Sequence, residues 1–514
     1  MKTRTLLTAL ILGVFTPLAL AKPPQTSNER PALVLTIIVD QMRYDYLTRY
    51  GSEFKGGLKR LLEQGAVFTN ANYEAAPTVT AVGHSTILSG ATPSISGIAG
   101  NTWYERSEGK NVQSITDDNV KALGGGSGAS PKRLLVSTVG DELKISGKGG
   151  KIYGVSLKDR AAILPAGRSA NGAFWFNADN GNFVSSSWYF DALPAWAEHF
   201  NAEHRADKYA GVEWMGTRLP ASAGAKLNAE LEATPFSDQL VLDFALTLLK
   251  EEQLGVDAQT DLLSVSFSAM DYVGHGSGPD TPKMHDMVLT IDTKVGLLLD
   301  AAEKQAGRGK VLVVFTADHG VAPVPEENIS KHLPGGRFNA QTERTAVETA
   351  LSAAFGEGKY VLGSADLGLY LNPETAAGKH LRMSDVEQVA AEVLRKQPQV
   401  VRVYTRTELT TTPVSGDRID QRVRNGFNAE HSGDVLVLHE PNWLAGGTGT
   451  NHGTPYSYDT HVPMIFYGPH TLVEPGQYAA DAAVQDIAPT LADLLNIATP
   501  SGSTGRVLAE IIPH

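Results

Sequence analysis

Six side chains in this sequence have the types and spacing of metal ligands: Asp40, Asp271, His275, Asp318, His319 and His452. Carboxylates and imidazoles with no thiolate form the donor set of a zinc site that keeps an open position for reaction. Three of the acids follow runs of apolar β-formers. Leu33 to Val39 precedes Asp40, Leu262 to Phe267 precedes Asp271, and Val311 to Phe315 precedes Asp318. In open α/β sheets the ligand crevice lies beyond the carboxyl ends of the strands, so three strands deliver these groups to one shared place. Asp271 and His275 are four residues apart and share one face of a helical turn. In Asp318-His319-Gly320 the glycine permits the tight bend that lets two adjacent side chains reach one ion. Each piece also has an ordinary reading: a surface pair, a strand-end turn, or, for His452 in its glycine-flanked loop, a solvent-facing histidine. Their recurrence in one order at strand ends favours the metal reading.

A candidate nucleophile lies in Pro77-Thr78-Val79-Thr80-Ala81-Val82-Gly83-His84. A hydroxyl is a poor nucleophile at neutral pH, and direct coordination to a metal favours its alkoxide. Thr78 or Thr80 equally fits a helix N-cap, and a helix N-terminus there would help hold an anion. Lys158-Asp159-Arg160 follows the apolar run Ile152 to Leu157 and therefore also reaches the crevice edge. A guanidinium matches two phosphoryl oxygens as a fork, and an ammonium acts as a point charge. On spacing alone, a solvated charged turn is the commoner reading of such a tripeptide. Asn101 follows a glycine and offers an amide donor to the same oxygens.

Alternating strands and helices must hold these groups. Gly57 to Gln64, Asp238 to Glu252, the Met287/Ile291/Val295/Leu298 series and the Val484/Ile487/Leu491/Leu494 series have helical spacing, and Pro463 to Tyr467 reads as a strand. The alternation predicts an α/β fold: a doubly wound, mostly parallel sheet with helices on both faces. Segments near 103–146, 162–235 and 321–451 break the pattern and are expected as insertions that cap the metal edge. In the last of them Ser384 and Glu387 have the spacing of a capping box, and Val400 to Tyr404 reads as a strand.

Residues 1–21 have the form of a secretory leader: Lys2 and Arg4, an apolar stretch from Leu6 to Leu20, and a small-residue site favouring cleavage after Ala21. Residues 22–514 then form the catalytic domain. No later segment is apolar and long enough to span a bilayer. The chain has no cysteine, so neither a disulfide nor a lipid-modified cysteine is available. Export without cysteine points to the bacterial periplasm or the medium. The formal charge of −12 argues against nucleic acid as the main partner, and an anionic substrate needs a local positive centre. The sequence leaves the oligomeric state open.

Together these residues resemble the alkaline phosphatase superfamily, and within it the periplasmic, phosphate-irrepressible enzymes that use threonine. The resemblance spans roughly residues 32 to 510. It rests on Val39-Asp40-Gln41-Met42-Arg43, Pro77-Thr78-Val79-Thr80 with His84, Gly100-Asn101-Thr102-Trp103-Tyr104, Ser156-Leu157-Lys158-Asp159-Arg160, Asp271 with His275, Asp318-His319-Gly320 and His452-Gly453-Thr454-Pro455. It implies two Zn2+ ions, one on Asp271, His275 and His452, the other on Asp40, Asp318, His319 and the nucleophile. It places the nucleophile at Thr80 and makes Asn101, Lys158 and Arg160 the phosphate-oxygen ligands. The implied activity is broad hydrolysis of small-molecule phosphate monoesters through a phosphothreonine. A phosphodiesterase or nucleotide pyrophosphatase is the alternative, and such enzymes resemble this chain less at Lys158 and Arg160. His461 is expected either to support the metal ligands from behind or to be structural, His285 to be structural, and Arg43 to give local support.

Overall fold

The structure is a computed structural model that describes residues 30–513; the expected leader and its cleavage site lie outside the described residues. A ten-stranded sheet forms the frame, with an inner block of five parallel strands: Val311–Thr316, Leu33–Val39, Thr260–Phe267, Gly149–Ser156 and Gly172–Asn177. The strands Leu33–Val39, Thr260–Phe267 and Val311–Thr316 are buried along their whole length. That is why they read as unbroken apolar runs without alternation. Antiparallel strands, including Met464–Tyr467 and Asn182–Ser186, finish both edges.

Helices cover both faces. Pro282–Ala306 packs with Gly57–Gln64 and Pro235–Glu251, while Thr80–Ser89, Asp159–Ala166 and Ile487–Leu495 belong to a second group. The expected helices and the strands Met464–Tyr467 and Val400–Thr405 are present.

Register brings the site together. Val39 pairs with Phe267, Ile38 with Thr316, and Ser156 with Ser266. Asp40, Asp271, Asp318 and Lys158 therefore all emerge at the same carboxyl edge.

The three irregular segments have different fates. Residues 321–451 contain a four-stranded antiparallel sheet in the order Val361–Ala365, Gly368–Leu371, Val435–His439 and Val400–Thr405. The helices Ala340–Phe355 and Met383–Leu394 cover it, and the layer has its own core around Val347, Leu351, Val386 and Val435. The segment 162–235, expected over the metal edge, instead extends the main sheet through Gly172–Asn177 and Asn182–Ser186. Its aromatic residues are core. Phe183 stacks on Phe244 with ring centroids 4.2 Å apart. From 103–146, Ala122–Leu123 likewise joins the sheet beside Asn182–Ser186, and the helix Val139–Ile145 packs on Gly149–Ser156.

Two local expectations are corrected. The helix Met383–Leu394 has Arg382 at its N-cap with no side-chain cap, so Ser384 and Glu387 form no capping box. Glu387 is buried and accepts the Thr407 backbone N–H at 2.9 Å, serving the next helix instead. That next helix carries a real capping box, from Thr405 and Glu408. Likewise neither Thr78 nor Thr80 caps the helix Thr80–Ser89. Val79 occupies the N-cap, Thr80 is the first helical residue, and the Thr78 hydroxyl donates to the Thr454 carbonyl at 2.9 Å.

A candidate metal and phosphoryl site at the sheet edge

Three imidazoles are held in the same way. The Nδ1–H of His275 faces the Thr450 carbonyl at 3.0 Å, that of His452 the Thr78 carbonyl at 2.8 Å, and that of His319 the Gly320 carbonyl at 2.9 Å. A carbonyl only accepts, so each Nδ1 carries the proton and each Nε2 presents a lone pair. This is the arrangement that orients metal-binding histidines. His452 is therefore not a solvent-facing loop residue; its side chain is buried between Thr78 and Asp271.

The Nε2 atoms converge on carboxylates. Asp271 Oδ1 lies 3.1 Å from His275 Nε2 and 3.5 Å from His452 Nε2. His319 Nε2 lies 3.5 Å from Asp40 Oδ1 and 3.4 Å from Asp318 Oδ2. Asp40 Oδ1, Asp318 Oδ2 and His319 Nε2 are buried with no hydrogen-bond partner. Buried polar atoms without partners are costly, and three aimed at one another fit a cation between them. Donor atoms of Asp271, His275 and His452, and of Asp40, Asp271 and His319, fall within 4.8 Å of one another. Asp271 thus stands between the two clusters.

The crowding shows in the acidities. Burial, and then the neighbouring Asp318, push Asp40 up to about 8. Burial would also raise Asp271, but the Lys158 ammonium together with the His275 and His452 imidazoles outweighs it and holds Asp271 well below the usual carboxylate range. Burial lowers His84 to about 4, so it is neutral. Its Nδ1–H donates to the Thr80 carbonyl at 2.9 Å.

Thr80 opens the helix beside these clusters. The Asn101 side-chain carbonyl accepts the Ala81 backbone N–H at 2.8 Å, leaving its amide N–H2 for the cavity that Asn101, His275 and His452 line. Lys158 is buried, with its Nζ 2.6 Å from both Asp40 Oδ2 and Asp271 Oδ2. Its ammonium bridges the two clusters. Arg160 is the second residue of the following helix, Asp159–Ala166, with its Nε buried and without a partner.

The sequence reading missed Gln41. Its backbone is left-handed (φ 65°), its N–H donates to Asp318 Oδ1 at 3.1 Å, and its Nε2 donates to Asp271 Oδ1 at 2.5 Å. A glutamine after a strand end looks like any turn residue, so only its adjacency to Asp40 could have drawn notice. The structural histidines are as expected. His461 stacks on Tyr44 at 4.4 Å, and His285 stacks on Tyr50 at 4.4 Å. Arg43 pairs locally with Asp45 at 2.7 Å.

Residues 34–462 match the family described as type I phosphodiesterase / nucleotide pyrophosphatase. The chain belongs to that family. It is 34% identical to alkaline phosphatase PafA of Elizabethkingia meningoseptica, over 94% of this chain and 95% of that protein. It is 35% identical to alkaline phosphatase PhoV of Synechococcus elongatus, over 95% and 94% respectively. The crystal structure of wild-type PafA superposes with a TM-score of 0.88 at 34% identity, covering 94% of this chain and 99% of that one. The fold is therefore that of a mixed α/β enzyme of the alkaline phosphatase superfamily, and among the described residues no helix is long and apolar enough to cross a membrane.

Proposed function

We propose that this chain is an exported, zinc-dependent phosphomonoesterase that acts on small-molecule phosphate esters through a phosphothreonine at Thr80. The supporting observation is the set of three Nδ1-anchored histidines turned onto carboxylates beside the first residue of the Thr80 helix. Asp271, His275 and His452 would hold one ion, and Asp40, Asp318 and His319, with Thr80, the other. Two bound zinc ions would supply positive charge to the attacking and leaving oxygens. Names of the relatives PafA and PhoV agree with this activity.

In the first step Thr80 Oγ1 bonds to phosphorus, its proton goes to solvent, and the bond from phosphorus to the ester oxygen breaks. The alcohol leaves with the electron pair and takes a proton from water. Water then attacks the phosphothreonine and releases phosphate, restoring the threonine hydroxyl. Asn101 donates its amide N–H to a non-bridging oxygen, while Lys158 and Arg160 balance the dianionic charge of a monoester. A diester has a carbon substituent where that charge would sit, which is why the cations favour the monoester over the phosphodiesterase alternative.

The test is a pair of initial rates on zinc-loaded protein, an aryl phosphate monoester against the matching diester. A large monoester preference, abolished by chelation and by Thr80→Ala, is expected. A diester preference, or full activity in Thr80→Ala, would overturn the proposal.

A further inference from the structure

We infer that the cavity between the inserted sheet and the metal edge is the subsite for the departing alcohol, and that Asp366 makes it select neutral or cationic alcohols over anionic ones. This rests on the phosphomonoesterase reading. The cavity, about 400 Å³, is lined at one end by Asn101, His275 and His452 and runs beneath the inserted layer. An alcohol esterified to a phosphoryl group at Thr80 and Asn101 would extend into it.

Phe338, Trp443, Leu367 and Leu438 supply apolar wall, which suits a planar or aliphatic group. Trp443 lies against the strand Gly336–Phe338: a Cβ on Gly336 would stand 2.8 Å from the indole ring, so glycine is what lets the ring lie flat there. Phe338 stacks on His439 with centroids 3.6 Å apart.

Two acids also line the cavity, Glu343 and Asp366. Glu343 is committed to the protein, accepting from His439 Nε2 at 2.9 Å and from Gln399 Nε2 at 2.8 Å. Asp366 is exposed at the tip of the hairpin joining Val361–Ala365 to Gly368–Leu371, in a left-handed conformation (φ 47°). Its Oδ2 lies 2.3 Å from where a Cβ on Gly100 would stand. Glycine immediately before Asn101 is thus what admits the carboxylate from the inserted layer to the phosphoryl end of the cavity. Desolvation at the cavity raises Asp366 to about 6, so at neutral pH and above it is an anion that repels an anionic alcohol and attracts a cationic one, and the Phe338 and Trp443 faces add to the attraction for a cation. Arg344 also lines the cavity, with its Nε buried and without a partner, while its Nη2 donates to Gln341 on its own helix and the residue borders a neighbouring surface hollow as well.

The experiment uses full-length, zinc-loaded enzyme and three aryl phosphates of matched leaving-group acidity, carrying a trimethylammonium, an uncharged or a carboxylate substituent on a methylene spacer. The quantity read is the ratio of kcat/KM for the ammonium substrate to that for the carboxylate substrate. The ratio should be about tenfold or more in the wild type, as charges a few ångströms apart at a partly solvated site imply. It should fall several-fold in Asp366→Asn, which tolerates the left-handed backbone, and recover in part in Asp366→Glu. A ratio near one in the wild type, or one unmoved by Asp366→Asn, would overturn the inference while leaving monoester hydrolysis intact. So would a preference for the carboxylate substrate that Arg344→Gln removes. No hydrolysis of any of the three would instead sink the phosphomonoesterase reading, and this inference with it.

Discussion

Gly83, one turn along the helix from Thr80, lies directly against the main chain of Asp318. A Cβ there would stand 2.1 Å from the Asp318 carbonyl oxygen and 2.7 Å from its Cα. The helix that presents Thr80 therefore rests on the loop that presents Asp318 and His319. Glycine inside a helix costs about 1 kcal/mol relative to alanine. Here it allows a contact no other residue permits, and it fixes the distance between the candidate nucleophile and one candidate metal cluster.

Gly83→Ala should force the helix away from Asp318. Overpacking of this kind costs roughly 1–3 kcal/mol of stability, and a displacement near 1 Å at a reacting group can cost on the order of 100-fold in rate. The variant should fold, with a lowered Tm and a monoester kcat/KM reduced far more than the stability loss alone explains. An alanine variant with wild-type kcat/KM would show that the contact does not set the position of Thr80.

The Lys158 ammonium sits between Asp40 and Asp271, 2.6 Å from each. Burial alone would lower its pKa, and the two carboxylates together outweigh that and raise it, so it is cationic at any working pH. Lys158→Ala removes the charge that offsets two buried acids, and breaking such a group by removing one partner costs about 3–5 kcal/mol. Thermal melts in chelator should show a large loss, with a smaller one once zinc is restored. In the zinc-loaded variant the monoester rate should fall by more than the diester rate. Equal losses for both esters would mean that Lys158 serves the metal carboxylates alone.

The outline of the site was legible because its chemistry follows apolar runs that fold as buried parallel strands. Asp40, Asp271 and Asp318 could be placed at one edge before any register was known, since the runs ahead of them admit no other element. What could not be read depends on contacts between distant segments. Gln41 reaches Asp271 across 230 residues, and nothing in its neighbours signals that. Asp366 meets Gly100 only because the inserted hairpin folds over the edge. The stretch from Gly172 to Ser186 looked irregular because it is rich in glycine, asparagine, serine and aromatic residues, yet it extends the sheet through two paired strands. The Ser384/Glu387 pattern failed because Glu387 is drawn inward to the Thr407 backbone.

Gln41 ties both clusters, its backbone to Asp318 and its side chain to Asp271. Groups that orient metal ligands typically account for 10–100-fold in affinity. Gln41→Ala should therefore weaken zinc binding by about that factor, read by competition with a chelating dye, and most of the lost rate should return at high zinc. Loss of rate with unchanged zinc affinity would assign Gln41 a different task.

The loop that carries His452 is pinned from the inserted segment by an ion pair. Arg337 Nη2 donates to the Gly449 carbonyl at 2.7 Å, and its Nε and Nη2 fork onto the Glu326 carboxylate at 2.9 and 2.6 Å. Gly449 in turn lies against His275, where a Cβ would stand 2.1 Å from the His275 carbonyl oxygen. Arg337→Met should thus loosen the His452 loop and weaken zinc binding several-fold at neutral pH. The Arg337 hydrogen bonds hold Glu326 down to about 2, against its ordinary 4.5. A carboxylate whose pKa is lowered on folding contributes stability that is complete above the unfolded value and is lost as pH falls towards the folded one. The Tm gap between wild type and Glu326→Gln should accordingly be constant above about pH 5.5 and close as pH falls from about 4.5 towards 2. Melts of both proteins at neutral pH and near pH 3 check this. A gap that stays open in acid would mean that Glu326 supports the loop by shape and not by charge.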